Sequence, residues 1–235
     1  MAAPRASAEG QPAPLPARAT RLPAPRTSWV VVVLCLVTVV VSGGLAGRPG
    51  AHQAQTALVV WLNHPPQPLG ALFALVNPLF RPIPLTVLVV VLAGWVLLSG
   101  GPARRWECLR ALAVSLIVAE LLAQTLKRVV DQPRPTAVIP GLDVHGYPQD
   151  PWGRAYPSAH TAMTVAAVAA LWPWMSRTQR AAGLAIAVLV PLNRIYIGAH
   201  WPLDVVGGVA VGLLAAALTW LVAVRWPIGS GPAPV

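Results

Sequence analysis

Charged residues are scarce in this chain, and acidic ones are the scarcest. Only 10% of the 235 residues are charged and seven are Asp or Glu, whereas 56% are hydrophobic. A soluble globular domain carries about 25% charged residues, so this composition excludes an ordinary soluble protein. The few carboxylates do not cluster along the sequence, which also argues against a metal site built from carboxylates.

Cysteine and lysine are almost absent as well. Cys35 and Cys108 lie in or beside apolar runs, which predicts small buried hydrophobic residues rather than a disulfide or a metal site. Sixteen of the seventeen basic residues are arginines, and Lys127 is the only lysine. The net charge of +10 would suit a nucleic-acid partner, but the bases are scattered between apolar runs instead of sharing one polar face. We therefore expect no nucleic-acid partner.

Repeated apolar runs of near-spanning length dominate the sequence. A helix needs about 17–25 predominantly apolar residues to cross a bilayer. Short, proline-bounded apolar pieces between the first two runs, at 57–62 and 69–79, predict interfacial helices. We predict an all-α, polytopic membrane protein with six transmembrane helices, at residues 29–46, 83–99, 111–126, 159–175, 181–197 and 204–224.

The two ends of the chain differ from its middle. Residues 1–28 are rich in Pro, Ala and Arg and predict a disordered cytoplasmic tail, followed by one membrane domain at 29–225 and a C-terminal tail at 226–235. A cleaved signal peptide is the competing interpretation of the first apolar run, but the long leading segment favours an uncleaved anchor. With the N-terminus inside, ten of the seventeen bases fall on the inner side, which favours a multi-pass cell-membrane protein with both termini in the cytoplasm.

Residues 193–204 place a base, an imidazole and a carboxylate between two apolar runs, where polar groups are costly unless they have a function or a partner. His200 and Asp204 are four residues apart. A helix that starts near Pro202 would therefore bring the carboxylate to the ring, fix its tautomer and leave the other nitrogen as a nucleophile. Arg194 adds a planar fork suited to phosphate oxygens. A loop with an incidental salt bridge explains this stretch, taken alone, equally well.

The predicted topology places two further polar clusters on the same outer face. One cluster contains Lys127 and Arg134; in the other, Ser158 can cap a helix and direct backbone N–H groups at an anion, close to His160. The bases suit a tetrahedral dianion. Two imidazoles suit phosphoryl transfer through a phosphoenzyme, one as the nucleophile and the other as the acid.

The three clusters together resemble the signature of the type 2 phosphatidic acid phosphatase (PAP2) superfamily. That signature has three parts: Lys-x6-Arg-Pro, Pro-Ser-Gly-His and Ser-Arg-x5-His-x3-Asp. The chain matches the first part fully, the second with Ala159 in place of Gly, and the third with Asn193 in place of Ser. The resemblance covers about residues 80–225 and implies six membrane helices.

The resemblance also implies a role for each site residue. His200 would attack phosphorus and form a phosphohistidine, Asp204 would orient His200, and His160 would protonate the leaving oxygen and later activate water. The phosphate-binding residues would be Lys127, Arg134, Ser158, Arg194 and Asn193. No metal and no other cofactor is implied.

We therefore predict an integral membrane lipid-phosphate phosphatase whose site lies on the extracytoplasmic face, with a polyprenyl diphosphate as the first-choice substrate. Two alternatives stay open. One is a phosphotransferase that passes the phosphoryl group to a lipid or sugar, and the other is a non-catalytic membrane protein that uses the clusters as an anion site.

Overall fold

The computed structural model describes residues 24–145 and 153–225, and all regular secondary structure in these two ranges is helical. The all-α prediction is therefore confirmed for this part of the chain. Two 3₁₀ turns, Asn77–Phe80 and Trp172–Trp174, follow the third and seventh helices. The helices are α1 Pro25–Ala46, α2 Pro49–Asn63, α3 Leu69–Val76, α4 Pro82–Leu98, α5 Pro102–Val130, α6 Pro135–Val138, α7 Ala159–Leu171, α8 Arg177–Tyr196 and α9 Pro202–Arg225.

Local sequence explains where these helices begin. Proline occupies the first position of α1, α2, α4, α5, α6 and α9, where its missing N–H has no intrahelical partner to lose. The first helix thus starts at Pro25, inside the segment 1–28 predicted as a tail; residues 1–23 and 226–235 lie outside the described residues. Serine caps start the other two long helices, Ser158 for α7 and Ser176 for α8.

Within the described residues, three stretches are long and apolar enough to cross a membrane, at Arg26–Ala46, Arg104–Val138 and Pro202–Val222. The segment Leu69–Phe80 and α4 would add a fourth span if this pair, bent by 80°, crosses as one unit. By contrast, α7 has 13 residues, fewer than the roughly 20 that a straight span requires. Length and composition thus support three or four membrane-spanning segments, and the six predicted spans stay a prediction.

The outer surface of the bundle fits a membrane location. Large apolar side chains are exposed along α1 and α4, including Val40 at 72% and Ile83 at 79% of their full accessible surface. Contiguous apolar surface of this kind is unfavourable in water and favourable against lipid tails. This is a protein of the membrane, built around helices that turn apolar faces outward.

Helix α9 packs against α1, α5 and α7, and two glycines allow its close approach to α7. A Cβ added at Gly208 would come within 2.7 Å of the Ser158 carbonyl oxygen, and one added at Gly212 within 2.6 Å of the Ala162 carbonyl oxygen. Small residues at such positions are what close helix contact requires. The contact sets the start of α7 beside the start of α9, where Ser158 N–H donates to the Asp204 carbonyl at 3.0 Å.

Candidate active site

His200 and Asp204 form the buried centre of the candidate site. His200 lies in the turn between α8 and α9, and Asp204 lies in the first turn of α9. His200 Nδ1 is 3.3 Å from Asp204 Oδ2, which also accepts a hydrogen bond from Trp201 N–H at 2.8 Å. The carboxylate thus favours the tautomer with hydrogen on Nδ1, so that Nε2 carries the lone pair. The residue spacing predicted this pairing.

The surroundings of His200 keep its ring neutral. His200 is only 2% exposed, and burial lowers its pKa well below 6.5. The positive charges of Lys127, Arg134 and Arg194 lower the pKa further. A neutral imidazole at physiological pH is the form that can attack phosphorus.

The turn before His200 is held by the backbone of Arg194. The Arg194 carbonyl accepts hydrogen bonds from Ala199 N–H at 3.1 Å and from His200 N–H at 3.2 Å. Gly198 lies inside this turn with φ +67°, a left-handed conformation that disfavours other residues, and a Cβ there would meet Leu142 at 2.7 Å. Glycine at this position therefore allows the tight turn that presents His200.

In chain order, the first polar cluster contains Lys127 and Arg134, the second contains Ser158 and His160, and the third is residues 193–204. Both cations of the first cluster contact the segments that carry the other two. Lys127, in the last turn of α5, donates from Nζ to the Arg154 carbonyl at 2.7 Å, close to the second cluster. Arg134, the residue before α6, donates from Nη1 to the Ala199 carbonyl at 3.2 Å, in the third cluster. Trp201 Nε1 also donates to the Pro133 carbonyl at 2.9 Å. The structure thus brings the three sequence clusters together at one end of the bundle.

Ser158 and His160 lie at the start of α7. The Ser158 side chain is fully buried and accepts hydrogen bonds from Thr161 N–H at 3.5 Å and Thr161 Oγ1 at 3.0 Å, so the predicted N-cap is present. His160 lies in the first helical turn, within electrostatic range of Lys127, Arg134 and Arg194. The N-terminus of α7 adds a partial positive charge and backbone donors, which suit an anion.

Asn193 has a different partner from the one that the signature implies. Its Nδ2 donates to Asn77 Oδ1 at 3.3 Å, and the residue is fully buried. Asn77 in turn donates from Nδ2 to the His145 carbonyl at 3.1 Å. In this structure the Asn193 amide therefore supports the connection before α4, and its predicted phosphate contact stays a prediction.

Two buried amides on α2 hold the segments that carry the candidate site, and the sequence reasoning missed them. Asn63, at the end of α2, donates to the Tyr196 carbonyl at 2.6 Å and the Asp143 carbonyl at 2.7 Å. Gln55, also on α2, accepts from Leu203 N–H at 2.8 Å and so satisfies a backbone donor at the start of α9. Isolated amides in otherwise apolar segments are the signal that would have identified them.

A cavity of about 660 Å³ lies between α4, α5 and α7 and reaches His160. Its volume is in the range of small-molecule sites, about 300–1,000 Å³. The wall is apolar along most of its length and polar at Thr86, Glu120, Gln124, His160 and Thr164. An apolar cavity that ends at a candidate acid catalyst can hold the part of a lipid nearest its phosphate.

Comparison with protein-family models identifies the chain. The model of the PAP2 superfamily matches residues 109–227, half of the chain, and this range includes all three polar clusters. The chain belongs to the PAP2 superfamily. The family predicted from the three motifs is therefore confirmed.

Two curated relatives of this PAP2 protein are phosphatases by name. An undecaprenyl-diphosphatase of Sulfolobus acidocaldarius is 34% identical over 108 residues, covering 43% of this chain and 48% of that protein. A decaprenylphosphoryl-5-phosphoribose phosphatase of Mycobacterium tuberculosis is 36% identical over 134 residues, covering 53% of this chain and 69% of that protein. The chain thus spans about half the length of the first relative and about two thirds of the second. Both names agree with the predicted enzyme class, a phosphatase of lipid phosphates.

A solved structure shares the PAP2 fold. The transmembrane PAP2-type phosphatidylglycerolphosphate phosphatase of Bacillus subtilis superposes with a TM-score of 0.63 at 20% sequence identity, over 85% of this chain and 98% of that one. At this identity the likeness shows a common helical architecture. It extends beyond residues 109–227 to most of the described helices.

Proposed function

We propose that this protein is a metal-independent membrane phosphatase that removes a terminal phosphate from a polyprenyl-linked lipid. The observation that carries the proposal is the convergence of the His200–Asp204 pair with Lys127, Arg134 and His160 next to an apolar cavity. This arrangement supplies a nucleophile, an acid, positive charge for a phosphate and space for an apolar chain. The sequence-based assignment to a lipid-phosphate phosphatase leads to the same activity.

In the first step, His200 Nε2 attacks phosphorus while the bond from phosphorus to the leaving oxygen breaks. Protonated His160 gives its proton to that oxygen, and the negative charge of the bound phosphate favours this protonated form. The His200 ring becomes a positively charged phosphohistidine. Asp204, which accepts the Nδ1 hydrogen, stabilises that charge.

In the second step, water attacks the phosphohistidine. His160, now neutral, accepts a proton from the water, and the bond between nitrogen and phosphorus breaks. Inorganic phosphate leaves, and the His200 lone pair returns. One water is consumed for each phosphate released, and both histidines recover their starting protonation states.

The charge in the site suits the transferring phosphoryl group. Lys127, Arg134 and Arg194 act together on His200, so all three lie close enough to stabilise negative charge on the phosphate oxygens. The N-terminal backbone donors of α7, which follow Ser158, add to this field. These groups supply the positive charge that many phosphoryl-transfer enzymes obtain from Mg²⁺.

The two curated relatives point to substrates with polyprenyl chains. One is named for undecaprenyl diphosphate and the other for a phosphoribose carried on decaprenyl phosphate. The largely apolar cavity beside His160 supports a lipid tail in this chain too. A polyprenyl diphosphate, the first choice from sequence, and a polyprenyl-linked sugar phosphate are the two substrate types to compare.

The proposed topology has six spans, with the site on the extracytoplasmic face. Its support is the arginine bias of the sequence and the position of the site at one end of α5, α7 and α9. In a background with Cys35 and Cys108 replaced, we expect a cysteine at exposed Ala137 to react with an impermeant thiol reagent in intact cells. A cysteine at exposed Thr178 should stay unlabelled; the reverse pattern would reject this orientation.

A phosphate-release assay in detergent tests the activity. The purified protein is offered a panel of polyprenyl, glycerol and sugar lipid phosphates, and acid quenching with labelled substrate traps the covalent intermediate. We expect His200→Ala to abolish both phosphate release and labelling, while His64→Ala, a change at an exposed histidine outside the site, leaves both intact.

Two other outcomes would replace the proposal. Label recovered on an acceptor lipid or sugar, in place of free phosphate, would show a phosphotransferase. Vanadate binding without phosphate release from any lipid would show a non-catalytic anion site.

A further inference from the structure

A polar pair lies within the membrane helix α5, on the wall of the apolar cavity. Gln124 Nε2 donates to Glu120 Oε1 at 2.7 Å, and both side chains line the cavity that reaches His160. An ionisable side chain inside a membrane helix is costly, and where it faces a cavity it commonly marks the path of a ligand. The reaction proposed above uses neither residue.

The position of this pair relates it to a bound phosphate. At 1.5 Å per residue along α5, Gln124 lies about 4.5 Å below Lys127 and Glu120 about 10.5 Å below it. On the facing helix, Met163 and Thr164 lie one turn beyond His160 and line the same cavity. The pair therefore lies level with the group attached directly to the phosphate rather than with a distant part of the tail.

The chemistry of the pair selects what it can bind. As a carboxylate, Glu120 offers only acceptor oxygens, whereas Gln124 offers its own oxygen as an acceptor and the second hydrogen of its NH₂ group as a donor. Hydroxyl groups, which both donate and accept, suit this pair. The negative charge of Glu120 repels a second phosphate, and an apolar chain would leave both side chains without a partner.

We propose that Glu120 and Gln124 form a subsite for a hydroxyl-bearing group, such as a sugar, that joins the phosphate to the lipid tail. This inference rests on the proposed phosphatase activity and narrows its substrate class. A polyprenyl-linked sugar phosphate would place hydroxyls against the pair, whereas a polyprenyl diphosphate would place only apolar chain or phosphate there.

The test compares three substrates with the same polyprenyl tail: a tail-linked ribose phosphate, its dideoxy analogue and the simple diphosphate. Each is assayed with wild type, with Glu120→Gln, and with Leu112→Ala, a control on the same cavity wall two helical turns from Glu120. We expect wild type to favour the ribose compound over the dideoxy compound by about 10- to 100-fold in kcat/KM, as hydrogen bonds to a charged acceptor allow. Glu120→Gln should remove most of that preference by lowering kcat/KM for the ribose compound alone.

The opposite results are equally specific. The subsite is wrong if Glu120→Gln changes kcat/KM for the ribose and dideoxy compounds alike, as Leu112→Ala should, or changes neither. Wild type that releases phosphate from none of the three compounds would reject the phosphatase activity instead. In that case, affinities for phosphonate analogues with and without the hydroxyls, measured by shifts in thermal unfolding, decide the subsite: equal affinities overturn it.

Discussion

Replacing Asp204 by asparagine separates the charge of this residue from its geometry. In the structure, Asp204 Oδ2 accepts two hydrogen bonds, from His200 Nδ1 and from Trp201 N–H. The backbone N–H of Trp201 is a fixed donor, so it selects the amide oxygen of an asparagine and turns the NH₂ group away. The same oxygen still accepts from His200, and the reactive tautomer is kept.

The magnitude follows from what the substitution removes. In the serine-protease triad, the same change favours the wrong histidine tautomer and lowers turnover about 10⁴-fold. Here only the negative charge is lost. A hydrogen bond to a charged group contributes about 1.5–3 kcal/mol, and about 1.36 kcal/mol corresponds to tenfold in rate. We expect Asp204→Asn to lower kcat by roughly 10- to 150-fold.

The assay measures kcat and vanadate affinity on the same folded variants. Vanadate binding should survive in Asp204→Asn because Lys127, Arg134 and Arg194 are unchanged. Asp204→Ala should lower kcat further and reduce thermal stability, because it leaves the buried Trp201 N–H without an acceptor, at a cost of about 1–3 kcal/mol. Unchanged turnover in Asp204→Asn would show that the charge is not used, and a loss of about 10⁴-fold would show that the Trp201 N–H does not fix the amide.

Three further predictions address packing, pH and phosphate binding. Gly212→Ala should lower the free energy of unfolding by about 1–3 kcal/mol, because the added Cβ would meet the Ala162 backbone. Gly44→Ala, whose Cβ would meet nothing within 4 Å, should not lower it, and equal effects of the two changes in a denaturation assay would contradict the close packing of α9. Because the pKa of His200 lies well below 6.5 in the folded protein, its ring stays neutral on mild acidification and kcat/KM should hold down to about pH 6, so a loss of activity centred on 6.5 that reflects His200 would refute the shift. The free energy of unfolding should decline as the pH falls below 6.5, because the unfolded chain then binds a proton that the folded chain does not. Lys127→Ala should lower kcat/KM by about 100-fold or more in the phosphate-release assay, and near-normal activity of this variant would remove Lys127 from the site. Lys127→Arg should not restore kcat/KM fully, because a planar fork replaces a compact charge.

The features that sequence predicted are those set by short-range geometry. The four-residue spacing of His200 and Asp204, with Pro202 as a helix start, fixes their pairing within one turn. The cap at Ser158 is equally local, and its outcome needed no knowledge of the rest of the fold. Family membership followed because three such local motifs occur in one order.

The features that sequence did not predict depend on contacts between distant segments. Asn193 and Asn77 are 116 positions apart, so nothing near Asn193 indicated that its amide donates to another amide. The same holds for Asn63 and Tyr196, which are 133 positions apart. The hydropathy pattern does not fix the number of membrane spans for a related reason. The short α7 owes its position to packing against α9, whereas hydropathy reports only the composition of α7 itself.

The glycine contact between α7 and α9 connects the fold to the chemistry. Lipid tails are as apolar as leucine, so membrane helices gain little by burying apolar faces, and close backbone approach becomes an important source of stability. Gly208 permits that approach opposite the Ser158 carbonyl, and Ser158 N–H then bonds to the Asp204 carbonyl. One contact therefore positions both Ser158, which caps α7, and Asp204, the residue proposed to orient His200. We expect a larger residue at Gly208 to separate the start of α7 from His200, and so to lower activity even in protein whose helices are still folded.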